Sequence, residues 1–337
     1  MSAAAPPAPI AITMGDPAGV GPEVTAKAVR DMAPDERART VVVGSRAALE
    51  RALVLAGGAL HVVPAFAQAP RADAIGIVDV PSPGAVPDGR ISREGGETAF
   101  RTVKAAVDLA LAGRVSVIVT APLNKAALHA AGHDYDGHTG LLAALSGQKK
   151  SYMLLASETL SAVHVSTHVS LEEATRRPTR ERVLDTIEAG GRHFRRLGTA
   201  QPRIAVAGLN PHSGEGGIFG RQEIETILPA IEEARRRGWT VSGPVPGDTV
   251  FYRASRGEFD LVVAQYHDQG HIPVKLIAFD TTVNVTLGLQ IQRTSVDHGT
   301  AFDIAWQGRA DHRNMQAAIA YARRMATIPL DAHPAVA

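Results

Sequence analysis

The 337-residue chain contains no cysteine, which removes disulfides, thiolate nucleophiles and every cysteine-ligated metal site. A metal, if bound, must be held by histidines and carboxylates. Charge of one sign is also missing: 35 basic against 34 acidic residues leave a formal +1, so no field draws the chain to nucleic acid. No run of eighteen or more apolar residues occurs, and the opening MSAAAPPAP has neither the basic start nor the apolar stretch of a signal peptide. The expectation is a soluble, cytoplasmic protein with no membrane or nucleic-acid partner. Internal repeats and low-complexity tracts are absent, and no GxGxxG follows the first apolar run, so there is no Rossmann fingerprint.

What is present is an alternation. Short apolar runs, IAIT at 10–13, TVVVG at 40–44, GIVDV at 76–80 and VSVIVT at 115–120, are separated by stretches of helical period. A second block continues with YMLLA at 152–156, SAVHV at 161–165, RIAVAGL at 203–209 and DLVVAQ at 260–265. The length suits two α/β domains, each a parallel or mixed sheet with helices on both faces. Helices are expected over 99–111, where Phe100, Val103, Val107 and Ala110 share a face before Gly113, and over 179–197 and 221–237. PSPGAVPDG at 81–89 reads as an exposed loop.

In open α/β sheets, ligands gather beyond the carboxyl ends of the strands. Three histidines stand there: His168 after SAVHV, His212 after RIAVAGL and His267 after DLVVAQ. Any one alone is most simply a hydrogen-bonded loop residue. Together, neutral imidazoles from adjacent loops suit a catalytic divalent ion with open positions. Asp268 either orients the His267 imidazole or is a surface turn residue, and His271 in the same HDQGH competes with His267 on spacing. A second set, the GHTG at 137–140 with Lys125, Lys275, Asn284 and Arg293, combines cations with hydroxyl and amide donors, which suits a phosphorylated carboxylic acid.

The stretches TMGDPAGVGPEV, VTAPLNKAALHAAGHDYDGHTG, STHVSL, GLNPHSGEGG, GDTVF, YHDQGHIPVKL and VNVTLGLQIQRTSVDHGTAFDIA follow one another along nearly the whole chain. In that order they resemble the 4-hydroxythreonine-4-phosphate dehydrogenase family of pyridoxal phosphate (pyridoxine) biosynthesis, within the isocitrate and isopropylmalate dehydrogenase-like fold. The resemblance implies two α/β/α domains with the active cleft between them: 1–125 plus 286–337 on the cofactor side, and 126–285 for substrate, metal and dimerisation. It implies a homodimer with its sites at the subunit interface, a divalent ion (zinc, magnesium or cobalt) on His168, His212 and His267 rather than His271, and substrate contacts at His138, Thr139, Lys275, Asn284 and Arg293. The implied reaction is NAD- or NADP-dependent oxidation of an alcohol β to a carboxylate, with loss of carbon dioxide. A Lewis-acid metal and a well-placed nicotinamide suit that chemistry. Lys125, Asp248 and a metal-bound water are candidates for the base. The cofactor loop is DHGTAFDIAWQG, 297–308, with Asp297, His298, Gly299, Thr300 and Ala301 as contacts.

The chain departs from the family pattern at Gly140, where GHTE is usual, at Trp306 and Gln307, where Gly and Lys are common, and at Gln290 and Gln292. HDQGHIPVKL resembles the branch acting on 4-phosphothreonate or 4-phosphoerythronate, and also a branch that oxidises the cis-dihydrodiol of terephthalate. Retention of His138, Thr139 and Asn284 favours a phosphorylated substrate. A non-catalytic binding relative and a metal-dependent hydrolase are readings from other classes. The early GDPAGVGPEV, at 15–24, lacks the Lys-Ser/Thr of a P-loop and reads as a fold marker, its Pro22 and Glu23 suited to a first helical turn. Asp16 there either faces the cleft or stabilises the turn.

Overall fold

A computed structural model of the chain describes residues 8–67 and 71–327; the small-residue tail of residues 1–7 and the end of the expected cofactor-side domain, 328–337, lie outside them. The chain forms two units, Met1–Ser151 with Leu289–Ala337, and Tyr152–Gly288. The first begins with β1 (Ile10–Thr13), β2 (Thr40–Gly44), β3 (His61–Pro64), β4 (Ala74–Asp79) and β5 (Ile118–Thr120). The second contains β6 (Tyr152–Ala156), β7 (Ser161–His164), β8 (Arg203–Ala207), β9 (Thr240–Val245), β10 (Leu261–Ala264) and β11 (Val283–Leu287). The chain then returns to the first unit with β12 (Arg293–Ser295). This α/β architecture is the class expected.

Strand order in the first unit is β3-β4-β2-β1-β5-β12, parallel at every pairing. Its inner strands β1, β2 and β5 are buried throughout, which explains why they read as unbroken apolar runs. Ala11, Val43, Val103, Val107, Ile118 and Leu142 share one core. In the second unit the order is β11-β6-β7-β10-β8-β9. There β11, β6 and β7 pair antiparallel, while β7, β10, β8 and β9 are parallel.

Three expectations are corrected. Residues 126–151 belong with the first unit rather than the second, because the helices Lys125–Ala130 and His138–Leu145 pack on the long helix Arg93–Leu111. That approach is very close: a Cβ on Gly96 would lie 1.9 Å from the Ala127 carbonyl oxygen. The long helix also starts at Arg93 rather than 99, since the Ser92 hydroxyl accepts the Gly95 N–H and caps it. The expected helix 221–237 opens instead as a π turn, Glu223–Ile227, before the α-helix Leu228–Arg236. Pro229 has no N–H to give and crowds the carbonyl four residues back, which a π turn relieves.

Candidate active site

In the second unit the three candidate histidines follow three neighbouring strands. His168 lies four residues beyond β7, His212 is in the turn after β8, and His267 opens the helix His267–Ala278 after β10. The His168 and His267 rings are 5.6 Å apart between centroids, within the roughly 6 Å that two imidazoles on one ion span when metal–nitrogen bonds are about 2.1 Å. His267 Nδ1 lies 2.6 Å from Asp268 Oδ1. That contact places the ring proton on Nδ1 and leaves Nε2 as the ligating atom. His212 is not drawn into the same cluster: among the described residues no three His, Asp or Glu side chains are grouped closely enough to hold an ion. The donor set fits a divalent ion in kind, and the structure brings two of its three imidazoles together.

The His212 turn is unusual. His212, Ser213, Gly214, Glu215 and Gly216 all have positive φ, from 41° to 78°, a left-handed run that L-residues rarely sustain. Glu223, 3 % exposed, holds it from behind. One carboxylate oxygen accepts the Leu209 and Asn210 N–H groups, both at 2.7 Å, and the other accepts the Asn210 side-chain amide at 2.8 Å. His212 then opens onto a groove of about 560 Å³ that Asp248, Tyr266 and Asp268 also line. Gln269 ties the end of β10 to that of β8, its amide accepting from Gln265 N and donating to the Gly208 carbonyl.

His271, the competitor, faces inward. It is 6 % exposed, its Nδ1 is 3.0 Å from the His267 carbonyl oxygen and 3.2 Å from His164 Nε2, and its ring stacks on that of His267 at 3.6 Å. Burial lowers the His164 imidazole to about 4 and His271 to about 2. Asn284, on β11, has a side-chain oxygen that is buried without a hydrogen-bond partner. Lys275 is half-buried in the last turn of the His267–Ala278 helix.

The remaining candidates lie in the first unit. Arg293, 3 % exposed at the start of β12, donates from Nε and Nη2 to Thr120 Oγ1 at 3.1 and 2.7 Å. Burial lowers its guanidinium to about 9. Burial, and secondarily the Arg293 cation, keep the imidazole of His138 well below its ordinary value. His138 and Thr139 open the helix His138–Leu145, and His138 Nε2 is buried without a protein partner. A buried cation beside a neutral imidazole whose Nε2 has no protein partner suits an anion bearing hydrogen-bonding groups. Lys125 is exposed, its Cε 3.5 Å from where a Cβ of Gly137 would lie. At Gly140 a Cβ would lie 2.3 Å from Asp136 Oδ1, so a carboxylate already fills the space beside that backbone.

The loop 297–308 is tied to the first turn of the chain. Val20 N–H donates to the Thr300 carbonyl at 2.9 Å, Trp306 Nε1 donates to the Pro17 carbonyl at 2.9 Å, and Arg51 stacks on the Trp306 ring at 4.0 Å. Glu23, 1 % exposed, accepts the Gly308 and Ala310 N–H groups and pairs with Lys27. Asp297 N–H donates to Asn314 Oδ1. Gly299 faces open space, Ala301 is held at φ 41°, and His298 Nε2 is buried without a protein partner. An unpartnered ring nitrogen beside an uncrowded glycine backbone fits a polar cofactor edge. The family resemblance marks Trp306 only as a departure, and the sequence marks Glu23 only as a suitable first-turn residue. The 285-residue separation of Gly308 from Glu23 leaves no local signal for their contact.

The family model for the pyridoxal phosphate biosynthetic protein PdxA matches residues 36–322. A D-threonate 4-phosphate dehydrogenase of Salmonella typhimurium is 46% identical over 323 residues, covering 94% of this chain and 98% of the relative. The crystal structure of a 4-hydroxythreonine-4-phosphate dehydrogenase from Klebsiella pneumoniae superposes with a TM-score of 0.85 at 45% identity, covering 95% of this chain and 99% of that one. A terephthalate 1,2-cis-dihydrodioldehydrogenase from Burkholderia xenovorans is more distant, with a TM-score of 0.70 at 31% identity over 94% of this chain and 98% of its own. The chain belongs to the PdxA family.

Proposed function

From that membership we propose that this PdxA-family dehydrogenase, which acts on a CH–OH group, oxidises and decarboxylates a 4-phosphorylated 3-hydroxy acid. The forms to test are 4-phospho-D-threonate, 4-phospho-D-erythronate and 4-phosphohydroxy-L-threonine. The observation that carries the reading is the buried Arg293–His138 pair, a cation lowered to about 9 by burial beside an imidazole nitrogen with no protein partner. An incoming phosphate or carboxylate offsets the cost of that buried charge. Thr139, Lys275 and Asn284 complete the substrate set; the orphaned Asn284 oxygen is an acceptor for a substrate hydroxyl or ammonium.

A divalent ion of the zinc, magnesium or cobalt kind, when bound, supplies Lewis acidity to the alcohol and to the carbonyl that replaces it. His168, His212 and His267 would hold it, with Asp268 fixing the His267 tautomer. NAD or NADP, when bound, would supply the hydride acceptor. The Asp297–Ala301 backbone, pinned at Thr300 to Val20, would hold the dinucleotide in reacting position. Asp248, lining the groove with His212, and Lys125, against Gly137, are the side chains offered as proton acceptor.

The chain would work as a homodimer. Ile272, Leu276 and Phe279 recur on one face of the same helical run and are 64, 85 and 73 % exposed, an apolar surface of the kind a partner copy covers. The test of the activity is a panel of the phosphorylated acids and a cyclic dihydrodiol acid, run with divalent metal and each dinucleotide, reading reduced nicotinamide. Turnover of a phosphorylated acid is expected; turnover of the dihydrodiol alone would overturn the substrate assignment. Calorimetry with NAD+ and NADP+ separates the enzyme from a non-catalytic relative, which would bind neither.

A further inference from the structure

Beneath His267 lie two imidazoles that the proposed reaction does not use. His164 ends β7 with no exposed surface, and its Nδ1 is 3.1 Å from the Met153 carbonyl oxygen on β6. A carbonyl can only accept, so His164 carries its proton on Nδ1 and presents a lone pair at Nε2. His271 Nδ1 faces that lone pair at 3.2 Å and the His267 carbonyl at 3.0 Å. With two acceptors before it, His271 must also be the Nδ1–H form. Its ring is therefore locked by a chain of directional bonds running back into the sheet, and its face lies parallel to His267 at 3.6 Å and 15°. Space for the chain depends on Gly270, where a Cβ would lie 2.3 Å from His164 Nε2.

His267 needs such support. Its bond to Asp268 fixes one point on the ring edge, and a ring held at one point can still swing about it. Asp268 is also 69 % exposed, where a single hydrogen bond to a solvated carboxylate restrains little. A flat, buried surface against the ring face removes the swing that the edge contact permits. We infer that His271, set in one tautomer by His164, is a positioning residue whose ring face holds the plane of the His267 imidazole for metal binding. The inference rests on the reading of His267 as a metal ligand.

Two variants part the ring face from the donor. His271→Asn keeps an N–H near the Nδ1 position and removes the face; His271→Phe keeps a face and removes the N–H. Cobalt(II) titration of the metal-free proteins, with far-ultraviolet dichroism to show that they are folded, is expected to give binding about tenfold or more weaker for Asn and within about threefold of wild type for Phe, the latter melting at lower temperature because His164 Nε2 loses its donor. Equal losses in both variants, or wild-type affinity in His271→Asn, would overturn the positioning role. His267→Ala separates the two readings: if it binds cobalt as wild type does, the metal assignment fails; if it does not while His271→Asn still binds normally, only this inference fails. Long-range proton–nitrogen NMR of the wild-type protein needs no variant to fold. It is expected to find Nδ1–H at residues 164 and 271, and Nε2–H at 271 would refute the lock.

Discussion

Asp16 shows how one buried carboxyl resolves a question that residue types leave open. Its Oδ1 accepts the Ala18 N–H at 2.9 Å while Oδ2 is buried without a partner, so it stabilises the first turn at the cost of a half-solvated charge. Burial raises its pKa from 3.8 to about 6, the Ala18 bond opposing. Between those values the folded chain keeps a proton that the unfolded chain has lost, so this group's contribution to stability falls as pH rises from about 4 to 6 and is level above. Urea unfolding at pH 4 and pH 7 should show Asp16→Asn gaining about 2–3 kcal/mol on wild type between the two; a constant difference would refute the shift. Arg293 is the converse case, a cation whose Nε and Nη2 both donate to Thr120 Oγ1. Arg293→Lys cannot reproduce that fork, and KM for the phosphorylated acid is expected to rise roughly 10- to 100-fold. The residue is legible as a cation suited to a phosphorylated acid; its burial is not, because RTS carries no apolar signal of its own.

At the scale of elements, what could be read from the sequence follows from how deeply each strand is buried. β1, β2 and β6 lie where their apolar runs lie, residue for residue, because both faces of each are covered. β9 carries no apolar run: TVSGPV, buried only at Val241 and Val245, lies at a sheet edge and contains Gly and Pro. β11 and β12 were seen only as family motifs, and β3, with its exposed ends, not at all. The left-handed His212 turn was half legible. Its glycines announce positive φ, but nothing local announces that His212, Ser213 and Glu215 adopt it too, and Glu223, whose carboxylate braces the entry to the turn at Leu209 and Asn210, lies eleven residues beyond the first of them. Glu223→Gln must present an NH2 group to one set of donors that now meet an acceptor. Hydrogen exchange at Leu209 and Asn210 should then quicken roughly 10- to 100-fold, for a loss of about 1–3 kcal/mol. Unchanged protection there would mean that the turn is held by its glycines instead.

For the molecule as a whole, the helix His267–Ala278 joins two proposed roles: its first residue offers a metal ligand, and its outer face the apolar side chains Ile272 and Leu276. Leu276→Glu places a charge where a partner copy would sit, and sedimentation should show dimer becoming monomer; a wild-type protein that sediments as a monomer would remove the dimer from the account. No helix among the described residues is long and apolar enough to cross a membrane. The tie between the first turn and the loop 297–308 also bears on how the protein comes into being. Trp306 meets Pro17 across 289 residues, and at translation rates of 5–20 residues per second that interval is roughly 15–60 s. Through it β1 emerges, and its neighbours β2 and β5 can pair, but the buried carboxylate of Glu23 waits without the Gly308 and Ala310 N–H groups it will accept. The unit that would bind the dinucleotide starts first and closes last on the ribosome, so the GDPAGVGPEV turn spends most of its synthesis as an unfinished edge in need of shelter.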